Sequence, residues 1–116
     1  MKNSNRKISD FHHKQMDFGF IQSINFFRNI NNDGCSEYSL NITLCGNLYY
    51  EGNQKLILNF LGVRDIKIGD LNGLFKSLIY ITDISEDQME GINYRVKEDE
   101  YQLFSFYCET FEYEII

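Results

Sequence analysis

Two adjacent histidines, His12-His13, and three cysteines, Cys35, Cys45 and Cys108, are the softest ligands and nucleophiles in this chain. Neighbouring residues point to opposite faces of a strand, or about 100° apart on a helix, so the histidine pair does not chelate one ion naturally. There is no Cys-x-x-Cys and no His-Glu-x-x-His to complete a metal site. A Cys108–His nucleophilic pair would need the two side chains in hydrogen-bond reach, and nothing in their spacing points to that. The Gly-x-Ser-x-Gly of a serine hydrolase does not occur either. The expectation is exposed histidines near the start and buried, reduced thiols. Cys45 and Cys108 lie in apolar runs, and an odd, widely spaced set makes no disulfide framework.

Carboxylates are the other chemical resource. Asp65 and Asp70 flank a short apolar stretch, and Asp83, Glu86, Asp87 and Glu90 cluster. Acid/base catalysis needs one carboxyl in an apolar pocket to raise its pKa, which abundance does not supply. Asp83-Ile-Ser85-Glu-Asp87 has the alternating oxygens of a calcium loop, but Gln88 stands where that loop needs Gly and Tyr94 where it needs Glu. A solvated acidic turn accounts for it. Gly69 and Gly73 lack the following Lys and the strand–helix context of a phosphate loop. No catalytic, cofactor-binding or metal residue is expected, and no cofactor.

Charge is the strongest signal. Residues 1–82 hold 9 Lys+Arg and 7 Asp+Glu, net +2, and residues 83–116 hold 2 and 10, net −8, together the −6 of the whole chain. Phosphate backbones need Lys and Arg, so the acidic third disfavours nucleic acid and suits a basic protein partner. Glu98, Asp99, Glu100, Glu109, Glu112 and Glu114, interleaved with Tyr101, Tyr107 and Tyr113, are the candidate partner-binding residues. Tyrosines with a charged rim are common interface material. The competing reading is that the outward acids only keep a strand edge soluble.

These residues need elements to hold them. One domain of 116 residues with 43% apolar and 16% aromatic content can bury one core. The apolar runs are too short to span a bilayer and the start is no secretory signal, so a cytoplasmic protein is expected. The first seventeen residues carry no clear pattern and receive no assignment beyond a segment that could be flexible.

Beyond them the period is two. Phe20, Ile24, Phe26 and Ile30 are followed, after Asn31-Asn32-Asp33-Gly34, by Tyr38, Leu40, Ile42 and Leu44. A three-residue loop, Asn32-Asp33-Gly34, sets Phe26 opposite Leu40 and Ile24 opposite Ile42, matching apolar faces. Residues 55–63 read as a central strand and 66–68 as a short one; in 74–84 Leu74, Leu78 and Ile81 have helical spacing, but the β-branched and aromatic run Leu78–Thr82 favours a strand. Ser85–Gly91 reads as a helical turn, with Ser85 and Gln88 as a capping box and Gly91 closing it. Tyr94 and Val96 form a strand ahead of a turn at 97–100. Phe104, Phe106 and Cys108 are even, whereas Phe111, Tyr113 and Ile115 are odd, which requires a bulge or break at Glu109-Thr110. The expectation is a mainly antiparallel β fold: a sandwich or strongly curled sheet of seven or eight strands with room for one short helix, α+β being the alternative.

The stretches NFLGVRDIKIGDLNG, LIYITDISEDQMEGINYRV and LFSFYCETFEYEI together resemble a group of small Firmicute proteins. These are similar to immunity proteins of polymorphic toxin systems, of the immunity-protein-50-like type. The similarity covers about residues 40–116 and rests on the hydrophobic pattern, with its phenylalanine–cysteine strand near the end. Related groups carry a histidine–aspartate pair near the start; here His12-His13 is followed by Lys14, with Asp17 further on. The resemblance implies a bacterial toxin-neutralising binder without catalysis or cofactor, and assigns no site residue. The combined expectation is a non-enzymatic protein-binding module whose acidic, tyrosine-bearing face meets a basic toxin, with no nucleic acid or membrane partner. A homodimer through an exposed strand edge is also open. A small-molecule-binding β domain is the alternative.

Overall fold

The computed structural model describes residues 2–30, 36–47, 52, 54–70, 76–87, 89–100 and 102–116. They form helix α1 (Lys2–Lys14), a 3-10 turn (Gln15–Asp17), β1 (Phe20–Ile30), β2 (Ser36–Cys45), β3 (Lys55–Ile68) and β4 (Ile79–Asp83). A second 3-10 turn (Ser85–Asp87) leads to β5 (Tyr94–Glu98), β6 (Phe104–Cys108) and β7 (Thr110–Ile115). The described strands make a single 7-stranded sheet in the order β1-β2-β3-β6-β5-β4, with β7 also on β3. Every pairing is antiparallel. The expected fold class is the one found.

Register follows the apolar pattern. Phe26 pairs with Leu40 and Ile24 with Ile42, as the matched faces require. The loop residues Asn32-Asp33-Gly34 lie outside the described residues. β3 is the centre of the sheet and is longer than its sequence suggests. The stretches 55–63 and 66–68 are one strand of 14 residues, not two. Its first part runs between β2 and β7, and its second part pairs with β6.

The change of apolar parity after Cys108 has a structural partner in β3. Between β6 and β7 the chain breaks at Glu109, whose amide donates to the Leu61 carbonyl at 2.9 Å. Opposite it Gly62 has φ +67°, and a Cβ there would lie 2.9 Å from Glu109 Cβ. Both strands shift phase at one level, so Phe60, Phe106, Cys108 and Phe111 all reach the same core.

The core lies between the inner face of the sheet and α1. Phe11, Leu56, Leu58, Phe60 and Phe111 are fully buried there. Phe60 meets Phe106 edge-on with ring centroids 4.9 Å apart, and Tyr94 meets Phe111 likewise at 5.0 Å. In α1 the inward residues are Ile8, Phe11, His12 and, in the turn beyond, Gln15, spaced as one helical face. Gln15 bridges the β4 edge: its Oε1 accepts the Ile79 amide at 2.9 Å and its Nε2 donates to the Ile79 carbonyl at 2.8 Å. The sequence pointed to exposed histidines; in the structure His12 is half-buried, its ring stacked on Tyr80 at 5.0 Å, and only His13 is exposed. The other flank of α1 meets β7, where Lys7 donates to the Phe111 carbonyl and Tyr113 donates to Asp10. Side chains of α1 thus occupy polar groups of β4 and β7 that would otherwise template another strand.

The turn expected at 97–100 begins later. Lys97 and Glu98 belong to β5, paired with Tyr80 and Ile79. The segment expected as a helical turn, 85–91, opens with the 3-10 turn Ser85–Asp87, whose start is held by Asp83, with Oδ1 accepting from Ser85 N at 2.9 Å and Ser85 Oγ at 2.6 Å. Gly91 closes the segment at φ +71°; the capping-box partner Gln88 is outside the described residues. No helix of the described residues is long and apolar enough to cross a membrane.

Candidate partner-binding surface

Strand alternation decides which tail residues a partner can reach. On β7, Phe111 and Tyr113 pair with Phe60 and Leu58, whose side chains fill the core, so Glu112 and Glu114 face the other way. Glu112 stands at the end of a row across four strands, Asn25–Asn41–Asn59–Glu112, fixed by the pairing register. Asn41 donates to Asn59 within that row at 2.6 Å. Glu114 ends the row containing Thr43 and Ile57, and exposed Leu61 lies on the opposite side of the asparagines. The outward face here is therefore amide-rich, edged by two carboxylates, with apolar surface beside it.

The nine candidate residues do not form one patch. Glu109, Glu112 and Glu114 are exposed along the β6–β7 line. Glu112 also pairs with Lys7 at 3.0 Å, an exposed bridge of small energetic weight. Tyr113 is turned inward to α1, hydrogen-bonded to Asp10 and packed on Phe11 at 5.7 Å. Burial first, and the Asp10 bond second, push its phenol up to about 12. Asp10 itself is held below its usual range by that bond and by Lys14.

At the far end of the sheet, Asp99 and Glu100 are exposed, Asp99 lying 3.4 Å from Lys97. Glu98 is not a surface acid. Only 1% of it is exposed, and its Oε2 accepts the amides of Leu78 at 3.0 Å and Glu100 at 2.8 Å. Tyr101 lies outside the described residues. Tyr107 faces outward among cations, paired with Arg64 and Arg95. That setting was missed in the sequence. The signal was there: Arg95 and Lys97 alternate with the buried Val96 and Glu98.

Cys35 lies outside the described residues. Cys45 and Cys108 are free and buried, and burial pushes Cys108 up to about 12. The residues described thus present binding surfaces of strand-borne side chains. A match to the family model of immunity protein PIM8 spans residues 3–114. The chain belongs to the PIM8 immunity protein family. The match takes in α1 as well as the sheet, a wider span than the 40–116 of the sequence resemblance. It bears out the immunity-protein class, under PIM8 instead of the immunity-protein-50-like type. No curated protein and no solved structure matches the chain.

Proposed function

We propose that this PIM8 family member neutralises a protein toxin by direct, non-catalytic binding, using the outward face of β3 and β7. The observation that carries the reading, beside the family match, is the outward projection of Glu112 and Glu114 at the end of the Asn25–Asn41–Asn59 row. Glu109 extends the acidic sector along the same line. A basic toxin surface would be drawn in by charge, and the asparagines and Leu61 would supply short-range contacts that slow release. Free, buried thiols at Cys45 and Cys108 suit a reducing cytoplasm.

The test pairs capture with protection. Tagged wild-type chain and a Glu109→Gln/Glu112→Gln/Glu114→Gln variant are used to capture partners at low and high salt. The captured protein, expressed alone, should arrest growth, and co-expressed wild type should restore it. The triple variant should bind it about tenfold more weakly, with a flatter salt dependence. A folded triple variant that protects and binds like wild type would remove the acidic sector from the interface.

A further inference from the structure

The outward face of β5, β6 and the second part of β3 carries four cations in a rectangle. Arg64 and Arg95 stand on either side of Tyr107, and Lys67 and Lys97 on either side of Ser105. Strand spacing sets the members of each pair about 10 Å apart and the two rows about 7 Å apart. Arg64, Lys67 and Arg95 are exposed, and Lys97 is half-buried. The surface dips between them into two clefts of about 530 Å³ each, both lined by Lys67, Arg95 and Ser105. Asp65 borders one cleft; the buried Glu98, and Asp99, 3.4 Å from Lys97, border the other, so four cations face three carboxylates. β6 carries the uncharged Tyr107 and Ser105 between the two cationic strands, so no two of these cations stand directly opposite each other on paired strands. Residues 83–116 contribute the only two cations they have, Arg95 and Lys97.

We propose that this face docks an acidic, carboxylate-bearing surface of a partner protein. Arg95 can grip a carboxylate with two parallel N–H bonds; Arg64, whose Nη1 donates to the Glu90 carbonyl at 3.2 Å, adds its remaining N–H groups, and the Ser105 and Tyr107 hydroxyls add donors between the rows. The rectangle is too wide for one small anion to touch all four cations, but it matches carboxylates spaced along one strand or helix of a partner. A nucleic acid fits poorly. Its charge continues without a break, and along the β6–β7 line it would run into Glu109, Glu112 and Glu114. A protein can change sign within that distance. The proposal goes beyond the acidic-sector reading and stands if that sector binds nothing. If both act, opposite signs on one face set the partner's orientation.

The experiment titrates the isotope-labelled full chain with a hexaglutamate peptide and follows backbone amide signals, with inorganic phosphate and a single-stranded oligonucleotide as parallel probes. Hexaglutamate should move the signals of residues 64, 67, 95, 97, 105 and 107, and less so at high salt. Arg64→Gln/Lys67→Gln/Arg95→Gln/Lys97→Gln should weaken that binding at least about tenfold, and Arg95→Gln/Lys97→Gln should fall in between. Glu112→Gln/Glu114→Gln should keep it, which separates this face from the acidic sector. The proposal is overturned if hexaglutamate leaves these signals unmoved, or if folded cation variants bind it as wild type does. It is also overturned if phosphate or the oligonucleotide saturates the same residues at lower concentration.

Discussion

The imidazole Nε2 of His12 accepts the backbone amide of Ile81 at 3.0 Å. A ring nitrogen that accepts cannot carry a proton, so the neutral tautomer with hydrogen on Nδ1 holds this bond. The helix is thereby tied to the edge of β4, beside the Gln15–Ile79 pair.

Stability should therefore fall on mild acidification. Burial lowers the folded-state pKa of His12 below its ordinary 6.5, so the unfolded chain takes up the proton first. The contribution is complete above the unfolded value and is lost as pH falls through the folded one. Denaturant midpoints should be flat above about pH 7 and decline as pH falls below the ordinary histidine value of 6.5. His12→Gln should flatten that decline. An equal slope in the variant would assign it to other groups. Asp10, lowered by Tyr113 and Lys14, belongs to a separate and more acidic window.

Gly62 should tolerate no side chain. Its φ of +67° is the left-handed region, and a Cβ would come within 2.9 Å of Glu109 Cβ. Gly62→Ala should destabilise by about 2 kcal/mol or more, summing the conformational cost and the forced shift of the β6–β7 break. Gly52, also at positive φ, has nothing within 4 Å of such a Cβ among the described residues, so Gly52→Ala should show the conformational part alone. Equal denaturant midpoints for the two variants would mean the close approach to Glu109 carries no energy.

Cys108 should be chemically silent in the folded protein. With its thiol pushed up to about 12 by burial, only about one molecule in ten thousand is thiolate near pH 8. Iodoacetamide followed by peptide mapping should label Cys108 at a rate that tracks global unfolding, rising in parallel with denaturant. Rapid labelling under native conditions would show local opening of the β6–β7 break.

Much of the sheet was legible because side-chain parity is a geometric quantity. Matching apolar faces selected the register that puts Phe26 opposite Leu40, and the parity change after Cys108 placed the break at Glu109. Helix α1 was not legible for a physical reason. Its buried stripe holds only Ile8 and Phe11 as apolar members, and His12 and Gln15 complete it through hydrogen bonds to β4 instead of hydrophobicity. The division of β3 into two strands failed similarly. Positive φ at Gly62 and Asp65 lets the strand continue where the apolar pattern breaks. In the candidate site, sequence neighbours were taken together that the pleat sends apart: Tyr113 inward between outward Glu112 and Glu114, and Glu98 inward beside outward Lys97 and Asp99.

Glu98 provides the sharpest separation of fold from function among the tail acids. Its buried Oε2 collects the amides of Leu78 and Glu100, and the Asp99 amide donates to the Leu78 carbonyl at 2.8 Å, so the carboxylate organises the end of β5 against the start of β4. Glu98→Ala leaves both donors to find water or nothing, and should destabilise by about 3 kcal/mol, lowering the melting temperature by roughly 10 °C. Glu98→Gln keeps one carbonyl oxygen at the same reach and should recover more than half of the loss. Glu112→Gln and Glu114→Gln, at outward positions, should shift melting by less than about 2 °C. A structural role for Glu98 requires that order of effects, with Gln rescuing where Ala does not. Equal melting temperatures for Glu98→Ala and Glu112→Gln would instead return Glu98 to the surface set, and would mean that the amides of Leu78 and Glu100 have other acceptors within reach.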